Sequence, residues 1–305
     1  MCSSSSIQCE KFTYKPYIER IKYLVRLPDH KKLCELALIG THSSLSYSVE
    51  EIEHQTQDLN FAQQLKYGIR VFDINVRLES YLIETYSYSS KTNFGFHDML
   101  QEADEFLDDN PGEFIILLMR QVYFPATIVT RINCKTINFY IRHVFGGQRI
   151  IPKWRLEDTI GQYRGKILLA GWDDTFDGCI FDIRTNCERQ IGIKWKTTRS
   201  DYVIEDKWND ILNLMIKSHF DNYKCFINEI NFDAGSFHHR AIARDGGHYH
   251  GKICVTSPMN KLMENSFQNP HRALIIIMAD FPTQGLMDKI NDSNFPNSSW
   301  RIGWE

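Results

Sequence analysis

Seven polar residues stand at or near the ends of apolar runs: His42 after LALIGT, Asp73 and Asn75 in IRVFDIN, Tyr86 in YLIETYS, Arg120 after FIILLM, Asp206 in VIEDKW, and Asp280 after LIIIMA. In a parallel barrel the active site is built from the C-terminal ends of the strands, so these residues are candidates to meet at one mouth. A histidine in that place, His42 in GTHSS, is a candidate general base. The plain alternative is that strand ends are polar because they meet water. A second concentration of reactive types follows FINEINF, where NFDAGSFHHRAIARDGGHYHGK holds His238, His239, Arg240, Arg244, His248 and His250. The plain reading here is a solvated loop broken by glycines. A zinc reading of HHR and HYH is weaker, because a structural site needs four ligands at firm spacing and no cysteine pair joins in.

The elements that must position these residues follow from the apolar pattern. Strand candidates are LALIG 36–40, IRVFDIN 69–75, YLIETYS 81–87, FIILLMR 114–120, KILLAGW 166–172, a weak one near 191–195, FINEINF 226–232 and ALIIIMAD 273–280. These eight are the number a closed parallel barrel requires. Helical periods fall between them. In HDMLQEADEFLDDNP the residues Met99, Leu100, Ala103, Phe106 and Leu107 keep helical spacing, Asp98 with Gln101 resembles a capping box, and Asn110-Pro111 ends the helix. Trp208, Ile211, Leu212 and Met215 repeat the spacing. A doubly wound sheet would also alternate strands and helices, but its glycine-rich phosphate turn is missing after the first strand. An α/β barrel of the (β/α)8 type is the fold expected.

At 305 residues and 43% hydrophobic content the chain can bury a full core, and no linker rich in Pro, Gly or Ser divides it. The expected organisation is an N-terminal extension, 1–19, and one barrel domain, 20–305. A net charge of −3 leaves no basic footprint for nucleic acid. MCSSSSIQCEKFTYKPY has no apolar core of the kind a signal peptide needs, and no run reaches membrane-spanning length. A soluble monomer is expected, cytoplasmic or released by a non-classical route. Eight cysteines without CxxC spacing read as reduced and structural, with Cys179 and Cys187 the first pair to check.

Four blocks, LALIGTHSS, TQDLNFAQQLKYGIRVFDINVRL, HDMLQEADEFLDDNPGEFIILLMR and IIIMADFPTQ, resemble successive segments of the phosphatidylinositol-specific phospholipase C X-domain family in its small bacterial-type form. The resemblance spans roughly residues 20–290 and implies a distorted TIM barrel that cleaves the glycerol-phosphate bond of phosphatidylinositol. It implies one histidine as general base on the inositol 2-hydroxyl, a second as general acid on the departing diacylglycerol oxygen, and a cation on the phosphoryl oxygens. His42 falls at the general base and Asp280 at the aspartate that orients it. Arg120 falls at a lysine that contacts the inositol ring or phosphate, Asp206 at an inositol-contacting aspartate, and Trp208 at a tyrosine that stacks on the sugar. Asp73 matches the one acidic residue kept from the calcium-type pattern.

The departures from the family pattern are as specific. Ser43 follows His42 where an Asp or Asn is usual, Asn75 replaces the phosphate-binding arginine of FDIR, and the third strand lacks its histidine. His97 aligns with the start of the next helix and is read as a helix-start residue. Trp172 falls where an inositol-binding arginine is common. The site is expected to be degenerate, with standard turnover doubtful, unless the loop after the seventh strand supplies His239 or His250 as acid and Arg240 or Arg244 as cation. The competing expectation is an inactive barrel that binds an inositol headgroup or a partner protein. A glycerophosphodiester or sphingomyelinase D type barrel fits the blocks worse. No cofactor is called for, with calcium left open. Membrane contact, where it occurs, is expected to be peripheral, through rim segments such as FDGCIF.

Overall fold

The computed structural model describes residues 12–80, 82–122, 132–144, 146–190, 200–231, 239–246, 248–249, 252–253 and 257–295. The apolar runs form strands in chain order: β1 Ala37–Thr41, β2 Val71–Glu79, β3 Leu82–Ser87, β4 Ser90–Lys91, β5 Ile115–Gln121, β6 Ile150–Ile151, β7 Ile167–Gly171, β8 Phe181–Asp182, β9 Cys187–Arg189, β10 Cys225–Glu229, β11 His248–Tyr249, β12 Lys252–Ile253 and β13 Leu274–Ala279. Strands β6, β7, β5, β2, β1, β13, β10 and β9 lie side by side in that order, every pair parallel. The sheet curls into a barrel of the TIM type. Among the described residues no pairing joins β9 to the β6 and β8 edge, so the wall has a seam there.

The residues expected to form a third barrel strand do form a strand, but an antiparallel one. β2 runs nine residues against five in β1, and its outer part carries β3 as a hairpin, with Asn75 opposite Tyr86 and Glu79 opposite Leu82. Ser80 turns the chain with φ +46°. In the wall β5 pairs directly with β2, and the sheet gains instead β6 at its edge beside β7, a strand of two residues and too short to be read from periodicity. The weak strand expected at 191–195 lies outside the described residues, and β9 ends just before it.

The two faces of each strand bury different cores. Ala37, Ile39, Ile115, Leu117, Ile167, Leu169, Ile275 and Ile277 pack outward with α1 (Phe61–Lys66), α2 (Phe96–Asp109), α3 (Cys134–His143), α5 (Ser200–Ser218), α6 (Met259–Ser266) and α7 (Gln284–Asp292), while the short α4 (Ile183–Asn186) adds Ile183 to the other core. Leu38, Val71, Ile116, Leu118, Leu168, Ala170, Ile227, Ile276 and Met278 fill the barrel interior with Trp154 and Trp172. Because side chains alternate along a strand, the interior rows run on into His42, Asp73 and Asn75, Arg120, Trp172, Glu229 and Asp280. Gly40 lets β1 pass close to its neighbours, since a Cβ there would stand 2.6 Å from Met278 Sδ.

Helix α2 starts at Phe96, one residue before the expected segment. The cap is Gly95, whose N–H donates to Asp98 Oδ2 at 2.9 Å, so Asp98 is the third helical residue rather than the cap. Gln101 donates to Glu105 instead. Asn110 caps the C-terminus as expected.

At the barrel floor Arg70 and Glu113 form a fully buried pair, 3.0 Å apart, and Glu113 also accepts from the backbone N–H groups of Leu24 and Val25.

The cysteine expectation is overturned. Cys134 pairs with Cys179, and Cys187 with Cys225, while Cys34 is free and buried. Spacing along the chain hides this because the partners meet only in the fold: Cys187 and Cys225 are opposite each other in the β9–β10 register. Cys134→Ser, which opens the 45-residue loop, is expected to cost about 2–4 kcal/mol, read as a lower urea midpoint of the unreduced protein.

Candidate active site

His42 is held by its own backbone. Its N–H donates to Ala279 O at 3.0 Å, and its carbonyl accepts from Thr56 Oγ1 and Gln57 Nε2, both at 2.8 Å. Gln57 Nε2 also reaches Ala279 O at 3.0 Å, tying the end of β1 to the end of β13. Behind it Ser43 adopts φ +43°, a left-handed conformation unusual for a non-glycine residue. That kink ends the strand and lifts the imidazole to the mouth.

There the ring meets Asp280, with His42 Nδ1 2.9 Å from Oδ1; the side chains are 17% and 1% exposed. A carboxylate only accepts, so Nδ1 carries the proton and Nε2 is the basic nitrogen. Burial works against the imidazolium, but the charge and hydrogen bond of Asp280, with Asp73 behind it, outweigh burial and raise the His42 pKa above its ordinary 6.5. Asp280 loses by burial and gains more from His42 and His239, which hold its pKa well below 3.8. The His42 contribution to stability is therefore full below pH 6.5 and fades as pH rises through the raised value. That of Asp280 is full above pH 3.8 and fades as pH falls through the depressed value. Asp280→Asn is expected to flatten both limbs and to move the His42 NMR titration to lower pH.

The other oxygen of Asp280 has a second histidine. His239 Nδ1 lies 3.6 Å from Oδ2, its side chain 7% exposed, so two imidazoles flank one carboxylate. On its far side His239 Nε2 is 3.2 Å from Tyr88 Oη, and the Tyr88 ring is stacked against both His239, at 5.5 Å, and His54, at 5.3 Å. Tyr88 sits just past β3, where the family pattern has its second histidine. It is held at φ +51°.

The remaining charges gather around Trp172. Its Nε1 donates to Asp73 Oδ1 at 2.8 Å, while Ser43 N approaches Asp73 Oδ2 at 3.4 Å. Arg120 lies 4.6 Å and Arg189 5.0 Å from the Trp172 ring centroid. Arg120 is near enough to His42 for its charge to oppose the imidazolium. Asn75 Nδ2 donates to Ser43 Oγ at 2.9 Å, so two of the residues that depart from the family pattern satisfy each other.

Other candidates lie elsewhere. Arg244 is buried away from the mouth: Nε donates to Phe281 O at 2.8 Å, Nη2 to Pro282 O at 3.0 Å, and Nη1 pairs with Asp58 at 3.2 Å. Together with Arg240, also 3.2 Å from Asp58, it fastens the π-helical turn Ala241–Asp245, and hence His239, beside the end of β13. Trp208 packs half-buried on the core outside the barrel. Asp206 belongs to α5, its side chain outside the described set, and His250 lies outside the described residues. Tyr86 bonds to Glu79, and burial with that carboxylate raises its pKa to about 12. His97 is exposed in the first turn of α2, as expected of a helix-start residue.

The rim segment FDGCIF does not present its aromatics. Phe176, Ile180 and Phe181 are buried, Phe181 stacks on Trp154 at 3.9 Å, and the segment is tied down through Cys179. No described helix is long and apolar enough to cross a membrane. A cavity of about 790 Å³ along the seam is lined by Trp154, Phe181, Arg184, Cys187 and Lys224 among others, and by none of the mouth residues. The donors at the mouth do not fit calcium: both Asp73 oxygens are engaged, and among the described residues no group of three His, Cys, Asp or Glu side chains is arranged to hold a metal ion.

Sequence reasoning passed over Arg189, Glu229, and the Thr56 and Gln57 clamp. Glu229 was readable from its inward parity on β10, but three-residue β9 offers no period from which to place Arg189.

Residues 29–126 match the family described as PI-PLC X. The chain is 24% identical over 287 residues to the 1-phosphatidylinositol phosphodiesterase of Listeria monocytogenes, a match covering 90% of this chain and 84% of that protein. It is 23% identical over 306 residues to that of Staphylococcus aureus, covering 89% and 93%. The solved phosphatidylinositol-specific phospholipase C from Listeria monocytogenes superposes with a TM-score of 0.68 at 20% identity, over 90% of this chain and 99% of that one. Residues 29–126 thus match the X-domain family, and the chain as a whole is similar in sequence and in barrel fold to bacterial phosphatidylinositol-specific phospholipases C.

Proposed function

We propose that this chain is a metal-independent phosphodiesterase that cleaves an inositol phospholipid, or a closely related phosphodiester, with a rearranged two-histidine site. The observation that carries the reading is the placement of His42 and His239 on the two oxygens of Asp280. The shared carboxylate orients both rings and the geometry divides the roles: His42, with Nδ1 on Asp280, presents Nε2 as base, and His239, with Nε2 toward Tyr88, serves the acid side. His42 Nε2 takes the inositol hydroxyl proton, that oxygen attacks phosphorus, and the bond to the diacylglycerol oxygen breaks. The departing oxygen takes a proton from Tyr88 Oη, which His239 Nε2 replenishes. In this reading Asp206 remains a headgroup candidate, Trp208 belongs to the packing outside the barrel, His250 is a reserve on the same loop as His239, and Arg244 is the anchor of that loop rather than a cation for the substrate.

The unit is read as one domain over 20–305 with an extension over 1–19, supported by Ile18 N donating to Gln284 Oε1 at 2.8 Å at the junction. It is read as acting as a single chain at a membrane surface. Two disulfides favour an oxidising compartment over the cytoplasm. One observation favours the inactive, headgroup-binding alternative: Asn75 and Ser43 close on each other where the family carries its phosphate cation. Incubation with phosphatidylinositol vesicles in chelator decides between them. Inositol phosphate released in chelator supports the enzyme. Headgroup binding without product, with or without calcium, supports the alternative.

A further inference from the structure

The barrel mouth holds two arginines with no described carboxylate partner. Elsewhere arginines find acids: Arg155 with Asp158, Arg164 with Asp29, Arg184 with Asp182, and Arg149 with Asp104 and Asp108. Arg120 and Arg189 have instead one shared indole, their guanidinium carbons 4.6 and 5.0 Å from the Trp172 ring centroid. Two like charges beside one ring repel, and the attraction of a cation to an aromatic ring is weaker than an ion pair with a carboxylate. Arg189 is exposed, so an anion from solvent can reach the pair.

The platform beneath them is rigid. Trp172 is buried and oriented by its bond to Asp73. Arg120 comes from the wall, at the end of β5. Arg189 comes from the seam, on a strand of three residues at the edge of the sheet; besides its pairing with β10 and the ion pairs of Glu188 with Lys217 and Lys224, that strand carries a covalent tie, the disulfide of Cys187, two residues earlier on the same inward face, to its register partner Cys225. A guanidinium presents parallel N–H donors that match two oxygens of a phosphate. Arg120 acts electrostatically on His42, so an anion held between these arginines sits beside the proposed base.

We propose that Arg189 and Arg120, spread on Trp172, form a clamp for a tetrahedral phosphate, with Arg189 supplying the charge that Asn75 does not. The clamp rests on the phosphodiesterase reading for its natural ligand, the phosphodiester of an inositol lipid, but its binding chemistry also takes a free phosphomonoester. The Cys187–Cys225 bond is its positioning device.

The test is calorimetric titration of the full chain with myo-inositol 1-phosphate and with inorganic phosphate, alongside sedimentation with phosphatidylinositol vesicles and with phosphatidylcholine vesicles. Arg189→Gln is expected to weaken myo-inositol 1-phosphate binding about 10- to 100-fold, the range for losing charge-assisted hydrogen bonds. Arg189→Lys recovers part, since an ammonium lacks the fork. Arg184→Gln, outside the mouth, changes nothing. The double variant Cys187→Ser/Cys225→Ser weakens binding as Arg189→Gln does, and unchanged affinity there overturns the positioning role. Selective loss on phosphatidylinositol vesicles identifies the lipid headgroup as ligand, whereas loss confined to the soluble probes identifies a free phosphate. Arg189→Gln protein that binds phosphate as tightly as the parent, or a parent that binds neither probe, overturns the clamp. Arg189-dependent binding in a protein without turnover keeps the clamp and removes the enzyme reading. Turnover that ignores Arg189→Gln does the reverse.

Discussion

His42→Ala lowers turnover of phosphatidylinositol by a factor on the order of 10² to 10⁴, the range for losing a positioned general base. Nothing described at the mouth takes its place. His239, the other imidazole on Asp280, has its far nitrogen committed to Tyr88. His54, third in the stack, has Nδ1 bonded to Ser90 Oγ at 2.7 Å. The loss falls on kcat rather than KM if the ring acts only on the proton in flight. The fold survives, because His42 is fixed through its backbone by Thr56, Gln57 and Ala279, contacts that alanine keeps. Initial rates of inositol phosphate release, with equal circular dichroism spectra for both proteins, check this.

The second large effect is structural. Glu113→Ala destabilises the protein by about 3–5 kcal/mol, because it strands the Arg70 guanidinium without a counter-charge in the barrel floor. It also removes the acceptor for the N–H groups of Leu24 and Val25, which line the same floor. Arg70 keeps its bonds to the carbonyls of Leu65 and Ile69, both at 2.8 Å, so the cost is that of an uncompensated charge rather than of a lost side chain. Replacing both partners, as Arg70→Met/Glu113→Met, recovers much of the loss, since a hydrophobic pair of similar volume removes the buried charge as well. Urea unfolding of the parent and the two variants reads both the loss and the recovery.

This pair explains why some of the chain was legible as sequence. GIRVFDI and NPGEFIILL, the most specific blocks of the resemblance, contain Arg70 and Glu113, so their spacing records how the floor closes. Alternation in the strands carried the interior rows to His42, Asp73, Arg120 and Asp280, because parity survives wherever a strand is long enough to have a period. It failed where strands have two or three residues, at β6, β8 and β9, and Arg189 was invisible for that reason. The hairpin β3 looked like a barrel strand because its apolar pattern is the same whether its neighbour runs parallel or antiparallel. Cysteine pairing and the choice of His239 among several loop histidines depend on contacts more than 30 residues apart in the chain, which no local pattern encodes. FDGCIF read as a rim because apolar residues next to glycine resemble an exposed tip, yet a disulfide and the Trp154 stack draw it inward.

The central claim is that His239, through Tyr88, provides the acid missing from the third strand. A substrate whose leaving group needs no proton tests it most directly: His239→Ala and the parent protein are compared on phosphatidylinositol and on a nitrophenyl ester of inositol 1-phosphate, whose phenolate departs unaided. The account predicts a loss on the order of 10² to 10⁴ on the lipid and less than about 10-fold on the nitrophenyl ester. Equal losses on both substrates, or none on either, contradict it.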